Sequence, residues 1–384
     1  MIQRELSAKL KEYVKQYPIL TVTGPRQSGK TTLVRNLFPE YKYVSLEDPD
    51  QRKYAIEDPR GFIYQYGEAV IIDEAQNAPD LFSYLQTEVD LKPKMGRFIL
   101  TGSQQFGMME RISQSLAGRT AIARLLPLSI SELSNASIKQ DINENLYTGF
   151  YPAIYDRKLH PTETYTFYVN TYLERDVRSA LGVKDLLQFE TFLRLCAGRV
   201  GQLINFSSLG SETGVSYKTI QSWLSVLEAS YIVKRLQPWH ANLKKRLIKA
   251  SKLYFYDVGL AAYLIGIQNA DQLQAHPLRG ALFENMIIAE AYKQQFNSGR
   301  NQPLSFFRDS QGNEVDLLIE TGAGLNAYEI KTSRTINSDF FNGLQHLKKL
   351  KINIARTNLI YGGDENRTQS NHRIYSWNDI DFDN

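Results

Sequence analysis

The sequence predicts an α/β protein whose N-terminal part is built on a parallel β-sheet. Three short apolar runs, Ile19–Val22, Val70–Ile72 and Phe98–Leu100, are each followed by small polar or acidic residues. Fully apolar runs of this length are typical of strands buried on both faces, as in parallel sheets. A helical pattern follows the first run, from Thr32 to Phe38. Of the 384 residues, 42% are hydrophobic and 22% charged, which is ordinary for a globular chain.

Composition excludes several classes of protein. The chain is long enough for two or three domains. Its net charge of only +4 means that any nucleic-acid surface must be a local patch. Cys196 is the only cysteine, so an internal disulfide and a cysteine-based zinc site are excluded. The segment Met1–Leu6 has no signal-peptide core, and no apolar run approaches the ~18 residues of a membrane span. We therefore expect a cytoplasmic protein without a membrane partner.

The first elements are a helix, a strand and a glycine-rich loop. Apolar residues at near-helical spacing predict a helix over residues 2–17, which Pro18 ends. The strand Ile19–Thr23 then runs into Gly24, and Gly29-Lys30-Thr31 follows at the spacing G-x-x-x-x-G-K-[ST]. This motif between a strand and a helix predicts a phosphate-binding loop. The alternative is an ordinary strand–loop–helix without a nucleotide.

Each part of this loop has a chemical reason. Gly24 and Gly29 let the backbone turn tightly around an anion, and the loop N–H groups point at the phosphates. Lys30 is expected to reach the β- and γ-phosphates of ATP, and the Thr31 hydroxyl to ligate Mg²⁺. The predicted nucleotide-binding residues are Gly24, Pro25, Arg26, Gln27, Ser28, Gly29, Lys30, Thr31 and Thr32.

Two further strand ends carry polar groups. Asp73 and Glu74 follow the run Val70–Ile72. We expect Asp73 to hold Mg²⁺ through water, and Glu74 to orient and deprotonate the attacking water. Ser103 or Thr101, after the third run, would contact the γ-phosphate or that water. The alternatives are an Asp-Glu cap on the next helix and a common Thr-Gly-Ser turn.

These motifs resemble the AAA+ class of P-loop ATPases, where they are called Walker A, Walker B and sensor 1. Segments 116–120 and 126–133 are similar to a bacterial and archaeal group of ATP-binding proteins with a C-terminal domain of unknown function. The resemblance covers nearly the whole chain. It implies ATP as ligand and an arginine supplied by a neighbouring subunit, hence a homo-oligomer. Arg111, Arg119 and Arg175 are the candidates, with a surface ion pair as the alternative for each; we assign the role to Arg119.

The middle of the chain is predicted to be helical. Residues 136–200 carry an amphipathic aromatic stripe and are interpreted as a helical lid. Residues 201–265 have the pattern of a winged helix-turn-helix: a helix breaks near Gly214, and Ser216 caps a second helix. Tyr231–Val233 and Leu253–Tyr256 would be the wing strands. Seven basic and no acidic residues lie between Tyr231 and Leu253, namely Lys234, Arg235, Lys244, Lys245, Arg246, Lys249 and Lys252. DNA contact is predicted, and a protein-docking module is the alternative.

The C-terminal part presents an ordered set of carboxylates. Glu284 lies near the start of a helix, Asp316 on a strand, and Glu329 and Lys331 on the next strand. Side chains alternate along a strand, so Glu329 and Lys331 share a face. Three carboxylates would hold Mg²⁺ or Mn²⁺, and Lys331 would stabilise charge at the reacting water.

This order resembles the PD-(D/E)xK, or restriction-endonuclease-like, superfamily, although Val315 stands where the literal motif has proline. The alternative is a nuclease-like fold kept for binding, with its carboxylates in salt bridges. The predicted domains are an ATPase core (1–135), a helical lid (136–200), a winged helix-turn-helix (201–265) and a nuclease-like α/β domain (270–384). Two main functions follow: an ATP-driven machine acting on DNA, or an ATP-switched interaction protein that cuts nothing. A third, a sequence-specific transcription factor, would require a dimer.

Overall fold

The computed structural model describes residues 2–103, 112, 114–172, 186–239, 250–350 and 352–382. The chain divides into two compact units. The first contains residues 1–128 with two short later segments, 229–231 and 295–300. The second contains the remainder. No helix in the described part of the chain is long and apolar enough to cross a membrane.

The first unit is built on a five-stranded sheet in which all neighbouring strands are parallel, in the order β2-β3-β4-β1-β5. Every residue of β1, β3 and β4 is buried, which explains why these strands are mostly apolar in sequence. The predicted parallel sheet is confirmed. Its strands are β1 (Ile19–Thr23), β2 (Lys42–Ser45), β3 (Val70–Asp73), β4 (Phe98–Gly102) and β5 (Thr120–Arg124). Its helices are α1 (Ser7–Gln16), α2 (Lys30–Leu37), α3 (Pro49–Glu57), α4 (Pro59–Tyr66) and α5 (Leu81–Leu91).

Strand order determines which side chains can meet. Strand β4 lies between β1 and β3, and Thr101 on β4 pairs in register with Val22 on β1. Ser45, the last residue of β2, pairs with Asp73, the last residue of β3. Because the strands are parallel, their carboxyl ends share one edge of the sheet, where a ligand site is expected.

The second unit combines helices with an eight-stranded mixed sheet in the order β12-β13-β11-β10-β9-β8-β6-β7. Its helices are α6 (Ile130–Asn135), α7 (Ile142–Thr148), α8 (Pro152–Asp156), α9 (Pro161–Tyr172), α10 (Leu186–Ala197), α11 (Phe206–Thr213), α12 (Tyr217–Ala229), α13 (Val258–Leu264), α14 (Arg279–Asn297) and α15 (Asn342–Lys349). Its strands are β6 (Val233–Pro238), β7 (Lys252–Phe255), β8 (Leu304–Arg308), β9 (Glu314–Thr321), β10 (Gly324–Lys331), β11 (Ile354–Tyr361), β12 (Arg367–Gln369) and β13 (His372–Ser376).

Helices α11 and α12, joined by a short turn, lie where the helix-turn-helix was predicted. Gly214 ends α11 in the left-handed conformation (φ 70°), and the Ser216 hydroxyl accepts from the Thr219 N–H at 3.1 Å. Trp223 packs on Phe189 and Phe192, with ring centroids 5.2 and 5.4 Å apart. The apolar face of α12 is therefore buried inside the second unit. Its opposite face carries exposed side chains: Tyr217, Lys218, Gln221 and Ser222.

The two strands expected to form a wing have a different role. Strands β6 and β7 pair antiparallel as predicted, but β6 also pairs parallel with β8. The hairpin is thus the end of the C-terminal sheet, and that sheet crosses the boundary predicted between residues 265 and 270. All four residues of β7 are buried, which is incompatible with a solvent-exposed wing strand. Four of the basic residues assigned to the hairpin lie outside the described residues: Lys244, Lys245, Arg246 and Lys249.

Candidate functional site

The loop between β1 and α2 requires glycine at both predicted positions. Gly24 has φ 149°, and a Cβ there would collide with the carbonyl oxygen of Leu125. Gly29, at the N-cap of α2, has φ 89°. The buried Lys30 ammonium donates to the carbonyls of Gly24 (3.0 Å) and Pro25 (2.7 Å). The lysine therefore lies against the loop in which phosphates would bind.

Other predicted loop residues take distinct positions. Ser28 is fully buried, and its hydroxyl donates to the Pro25 carbonyl at 2.9 Å. Gln27 is exposed with φ 61°, while Arg26 is half-buried. Thr32 lines a cavity beside α2. Their contacts with a nucleotide stay predictions.

Asp73 is the centre of a hydroxyl cluster. Its carboxylate accepts from the Thr31 hydroxyl at 3.0 and 3.1 Å, from the Tyr43 hydroxyl at 2.8 Å and from Thr101. These donors come from α2, β2 and β4, so three elements converge on one carboxylate. Thr31 and Asp73 together offer hard oxygen donors of the kind Mg²⁺ prefers, and they fit the predicted metal role.

Tyr43, the second residue of β2, was missed by sequence reasoning, although its hydroxyl reaches Asp73 on the adjacent strand. Burial and the hydrogen bond to Asp73 raise its pKa to about 12. The Arg35 guanidinium lies 4.5 Å from the centre of its ring. Tyr43 is therefore a neutral donor at ordinary pH, held on one side by a cation and on the other by Asp73.

Glu74 has an unusual backbone conformation. Its φ is 51°, in the left-handed region where a non-glycine residue is strained by about 1–3 kcal/mol. Its carboxylate accepts from the Gln76 amide and from the Ser103 hydroxyl, the latter at 3.3 Å. The structure thus places two predicted site residues, Glu74 and Ser103, in contact and adds Gln76, which the sequence analysis did not single out.

Arg4 is a second residue that sequence reasoning missed. Its buried guanidinium donates to the Ser28 carbonyl at 2.8 Å and to the Leu126 carbonyl at 2.6 Å. It therefore ties the phosphate-binding loop to the segment after β5. The signal was a lone arginine between Ile2 and Leu6, within an apolar pattern.

Arg119 is engaged within its own unit. Its Nε and one terminal nitrogen donate to the two oxygens of Asp90 at 2.6 and 2.8 Å. This is the surface ion pair weighed as the alternative, and action on a neighbouring subunit stays a prediction. Arg111 and Arg175 lie outside the described residues.

The C-terminal site joins adjacent antiparallel strands. The Lys331 ammonium on β10 donates to Glu329 Oε1 at 2.7 Å and lies 3.4 Å from Asp316 Oδ2 on β9. The Ile330 N–H donates to the same Asp316 oxygen at 2.8 Å. The structure therefore places these three predicted side chains in contact. Glu329 Oε2 is buried, and no hydrogen-bond partner for it exists among the described residues.

Glu284 on α14 has other partners. It accepts from the Lys252 ammonium at 2.9 Å and from the Tyr254 hydroxyl, and Lys252 also contacts Glu314 at 2.5 Å. The assignment of Lys252 to a basic DNA-facing surface is therefore wrong. Its ammonium is buried because the Lys252 side chain, on the terminal strand β7, packs against the carboxylates of Glu284 and Glu314. Arg235, another of the basic residues assigned to that surface, also has an acidic partner, since its Nε donates to Glu228 at 2.7 Å.

Charge crowding changes the proton affinities of this cluster. Burial, and next the Asp316 charge, raise the pKa of Glu284 to about 7 and of Glu329 to about 8. Burial lowers the pKa of Lys252 and Lys331, but the surrounding carboxylates outweigh it and raise both above the ordinary value. The lysines therefore stay charged while one or two carboxyls hold protons near neutral pH.

The described residues contain no group of three or more His, Cys, Asp or Glu side chains arranged to hold a metal ion. The predicted site of Glu284, Asp316 and Glu329 is bridged instead by two lysines. Ion pairs within the cluster were the alternative expected from the sequence. A C-terminal site for Mg²⁺ or Mn²⁺ accordingly stays a prediction.

The N-terminal part of the chain is similar to a known class of domain. A family model described as an AAA domain matches residues 16–134, the segment that holds the loop, Asp73 and Glu74. This part of the chain is therefore an ATPase domain of the AAA type. Models for two domains of unknown function, DUF8612 and DUF4143, match residues 139–271 and 279–380.

The family follows from whole-chain similarity. Uncharacterised proteins of Mycobacterium tuberculosis and Mycobacterium bovis are each 30% identical over 371 residues, covering 94% of this chain and 80% of theirs. The chain belongs to the same family as these mycobacterial proteins.

Among solved structures, a Walker-type ATPase of Pyrococcus abyssi is 16% identical, with a TM-score of 0.45, covering 69% of this chain and 96% of that one. AMPPCP-bound DnaA from Aquifex aeolicus is 14% identical, with a TM-score of 0.30, covering 58% and 85%. With such low identities and TM-scores, neither similarity supports a conclusion about the function of this chain.

Proposed function

We propose that the first unit binds and hydrolyses ATP. The observation that carries this is the cluster at the sheet edge, in which Thr31 and Thr101 donate to Asp73 while Ser103 donates to the adjacent Glu74. A Mg²⁺ ion held by Thr31 and Asp73 would neutralise charge on the β- and γ-phosphates. The main-chain N–H groups of the loop and Lys30 would bind those phosphates.

Glu74 is the proposed general base. Its carboxylate lies at the end of β3, held by Ser103 and Gln76, and would accept a proton from the attacking water. Lys30 must turn from the loop carbonyls toward the phosphates when a nucleotide binds. The Lys30 ammonium would then be hydrogen-bonded both without nucleotide, to the loop carbonyls, and with nucleotide, to the phosphates.

Binding of a fluorescent ATP analogue and release of phosphate test this proposal together. Lys30→Ala is expected to abolish binding, because the phosphates lose their only loop ammonium. Lys53→Ala, which removes an exposed lysine on α3, is the control and is expected to change neither measurement. Wild-type protein that binds no ATP in the presence of Mg²⁺ would overturn the proposal.

Assembly belongs to the same proposal. Arg119 would have to leave Asp90 to reach a nucleotide on a neighbouring copy. Mixing tests this: Arg119→Ala keeps an intact loop, and Lys30→Ala keeps an intact arginine. If Arg119 acts in trans, two inactive variants regain part of the ATPase activity when mixed. Full activity of Arg119→Ala alone would contradict this role.

We further propose that the second unit acts on DNA and that its carboxylate–lysine cluster is a metal-dependent nuclease site. The helix-turn-helix supports DNA contact, since Tyr217, Lys218 and Gln221 are exposed on the second helix. The nuclease role is favoured by Glu329 Oε2, a buried carboxylate oxygen with no hydrogen-bond partner among the described residues, 92% of the residue being buried. A cation would supply the missing partner.

In this reading, Asp316 and Glu329 would hold a divalent ion, and Lys331 would stabilise charge at the attacked phosphate. A metal at such a site lowers the pKa of a bound water and stabilises the phosphorane-like transition state. The second candidate function keeps ATP binding but uses this unit only to bind a partner. It is favoured by the salt bridges that already neutralise part of the cluster.

A nuclease assay separates the two functions. Plasmid and single-stranded DNA are incubated with Mg²⁺ or Mn²⁺, with and without ATP. Cleavage that disappears in Asp316→Asn and Lys331→Ala supports the nuclease. The matched control is Asp339→Asn, an exposed aspartate in the same unit. No cleavage under any condition, with ATP hydrolysis intact, would favour the ATP-switched interaction protein.

A further inference from the structure

A polar cleft of about 420 Å³ adjoins the end of β10 in the second unit. Its walls include Asp141 and Asn143 at the start of α7, Arg279 at the start of α14, and Thr332 and Arg334 immediately after Lys331. Three residues of extended chain span at most about 10 Å, so Arg334 lies within that distance of Lys331 along the backbone. The cleft thus neighbours the carboxylate–lysine cluster without being part of it.

Two arginines and one carboxylate, that of Asp141, line this cleft. Neither Arg279 nor Arg334 forms an ion pair within the described part of the chain. Burial lowers the pKa of Arg279, the Asp141 carboxylate raises it, and the positive charge of Arg334 has a smaller lowering effect. Two guanidinium groups close enough to repel each other are stabilised by an anion between them.

The remaining groups prepare the cleft for such an anion. Asn143 Oδ1 accepts from Arg279 Nε at 2.8 Å, which fixes one edge of the guanidinium and leaves its two terminal nitrogens for a ligand. The Asp141 carboxylate accepts from the Glu144 N–H at 2.9 Å as the cap of α7. The two arginines outweigh the single negative charge of Asp141 by one positive charge, and the Thr332 hydroxyl adds a neutral donor.

We propose that this cleft binds a backbone phosphate of the DNA strand that reaches the Asp316–Glu329–Lys331 cluster. Arginine forks match the geometry of phosphate oxygens. Because Arg334 follows Lys331 by only three residues, a phosphate bound in the cleft would belong to a nucleotide close to the one at the cluster. The cleft would then position the strand and leave the chemistry to the cluster. This inference rests on the nuclease function proposed above.

Fluorescence polarisation with a labelled oligonucleotide tests the cleft, using full-length protein that carries Asp316→Asn so that no cleavage interferes. Arg334→Gln in this background is expected to weaken binding about tenfold and to reduce the salt slope of log K by about one. Arg279→Gln with Arg334→Gln should weaken it further. Arg157→Gln removes an equal charge from another exposed position of the unit and should change neither quantity.

The outcomes separate this proposal from the nuclease itself. Cleavage by wild type together with unchanged DNA binding in Arg334→Gln would overturn the cleft and leave the nuclease standing. Arginine-dependent binding without cleavage would support the cleft while the nuclease fails. A free phosphate ion is the alternative ligand, and titration with inorganic phosphate tests it. If Arg334→Gln abolishes phosphate binding but leaves DNA binding unchanged, the assignment to DNA is overturned.

Discussion

Both units place carboxylates at a strand end or beside one, but the groups around them differ in charge. Asp73 in the first unit receives hydrogen bonds from neutral hydroxyls, those of Thr31, Tyr43 and Thr101. The second unit surrounds its carboxylates with ammonium groups, since Lys252 pairs with Glu284 and Lys331 with Glu329. Hydroxyl donors stabilise a carboxylate and leave its charge intact. Ammonium groups neutralise it.

This difference bears on how each site would meet a cation. At Asp73, a bound Mg²⁺ adds positive charge to a carboxylate that no cation contacts within the described residues. In the second unit, Glu284, Asp316 and Glu329 face the ammonium groups of Lys252 and Lys331. Glu314 is counted apart, because it also pairs with Arg308. The formal excess is one negative charge, and a proton compensates it near neutral pH. A divalent ion there must displace protons, lysines or both.

The largest expected effect concerns Glu74. Glu74→Gln keeps the size and hydrogen-bonding capacity of the side chain but removes the proton acceptor. We expect ATP hydrolysis to fall by ~10²–10⁴-fold, the usual contribution of a general base, while ATP affinity changes only a few-fold. Phosphate release and nucleotide binding are measured in parallel. Glu57→Gln, on the exposed side of α3, is the control. Hydrolysis preserved in Glu74→Gln would contradict the role of Glu74 as general base.

Lys252→Met tests whether the second site is neutralised from within. The Lys252 side chain is 3% exposed and contacts both Glu284 and Glu314. Its loss leaves the buried Glu284 without its lysine partner, while Glu314 keeps Arg308. Removing one partner of a buried pair destabilises a protein by ~3–5 kcal/mol. We expect a loss of about 3 kcal/mol in the free energy of unfolding, measured by denaturant titration.

The matched control is Lys53→Met, whose partner Glu57 lies 4.0 Å away on an exposed helix face. Exposed pairs contribute ~0–1 kcal/mol, so little change is expected there. Equal effects of the two substitutions would show that Lys252 does not compensate the cluster.

Stability of the second unit should depend on pH through Glu329. Its pKa is raised from an ordinary value of 4.5 to about 8, so the folded state holds a proton that the unfolded chain releases between these values. More protons bound in the folded state means that stability falls as pH rises through this window. One proton contributes at most about 1.4 kcal/mol per pH unit.

Glu329→Gln cannot titrate, and its stability should fall less steeply between pH 5 and pH 8 than that of wild type. Thermal unfolding at a series of pH values measures the slope. Glu284 keeps its own raised pKa, so part of the dependence remains. Identical slopes in wild type and Glu329→Gln would contradict the proton assignment.

Much of the first unit could be predicted because its motifs are local. Gly24 to Thr31 are contiguous, and the polar residues after each apolar strand converge once the strands are parallel. Tyr43 and Gln76 were missed, since an isolated tyrosine or glutamine carries no local signal. Their roles depend on strand order, which brings Ser45 beside Asp73 in register.

The second unit shows the limit of local patterns. The order Glu284, Asp316, Glu329, Lys331 correctly placed the last three together. The basic character of residues 234–252, however, was interpreted as an exposed surface. Lys252 contradicts this because it lies on β7, which pairs with β6 in the sheet. Its side chain is buried against Glu284 on α14, a residue distant in sequence. Net charge along a segment does not reveal which lysine faces a distant carboxylate.

The smallest expected effect concerns Tyr43 and sharpens the contrast between hydroxyl and ammonium environments. Tyr43→Phe removes one neutral donor from Asp73 and keeps the ring under Arg35. A single hydrogen bond to a charged group contributes ~1.5–3 kcal/mol, and water can replace part of it at this half-exposed position. We therefore expect a three- to tenfold change in the Mg²⁺ concentration that gives half-maximal ATP hydrolysis, while ATP binding without Mg²⁺ stays unchanged. Tyr41→Phe, which removes a hydroxyl bonded to the Gly96 carbonyl instead, is the control. An equal shift in both variants would mean that Tyr43 acts through packing, and that Asp73 does not depend on its full set of hydroxyl donors.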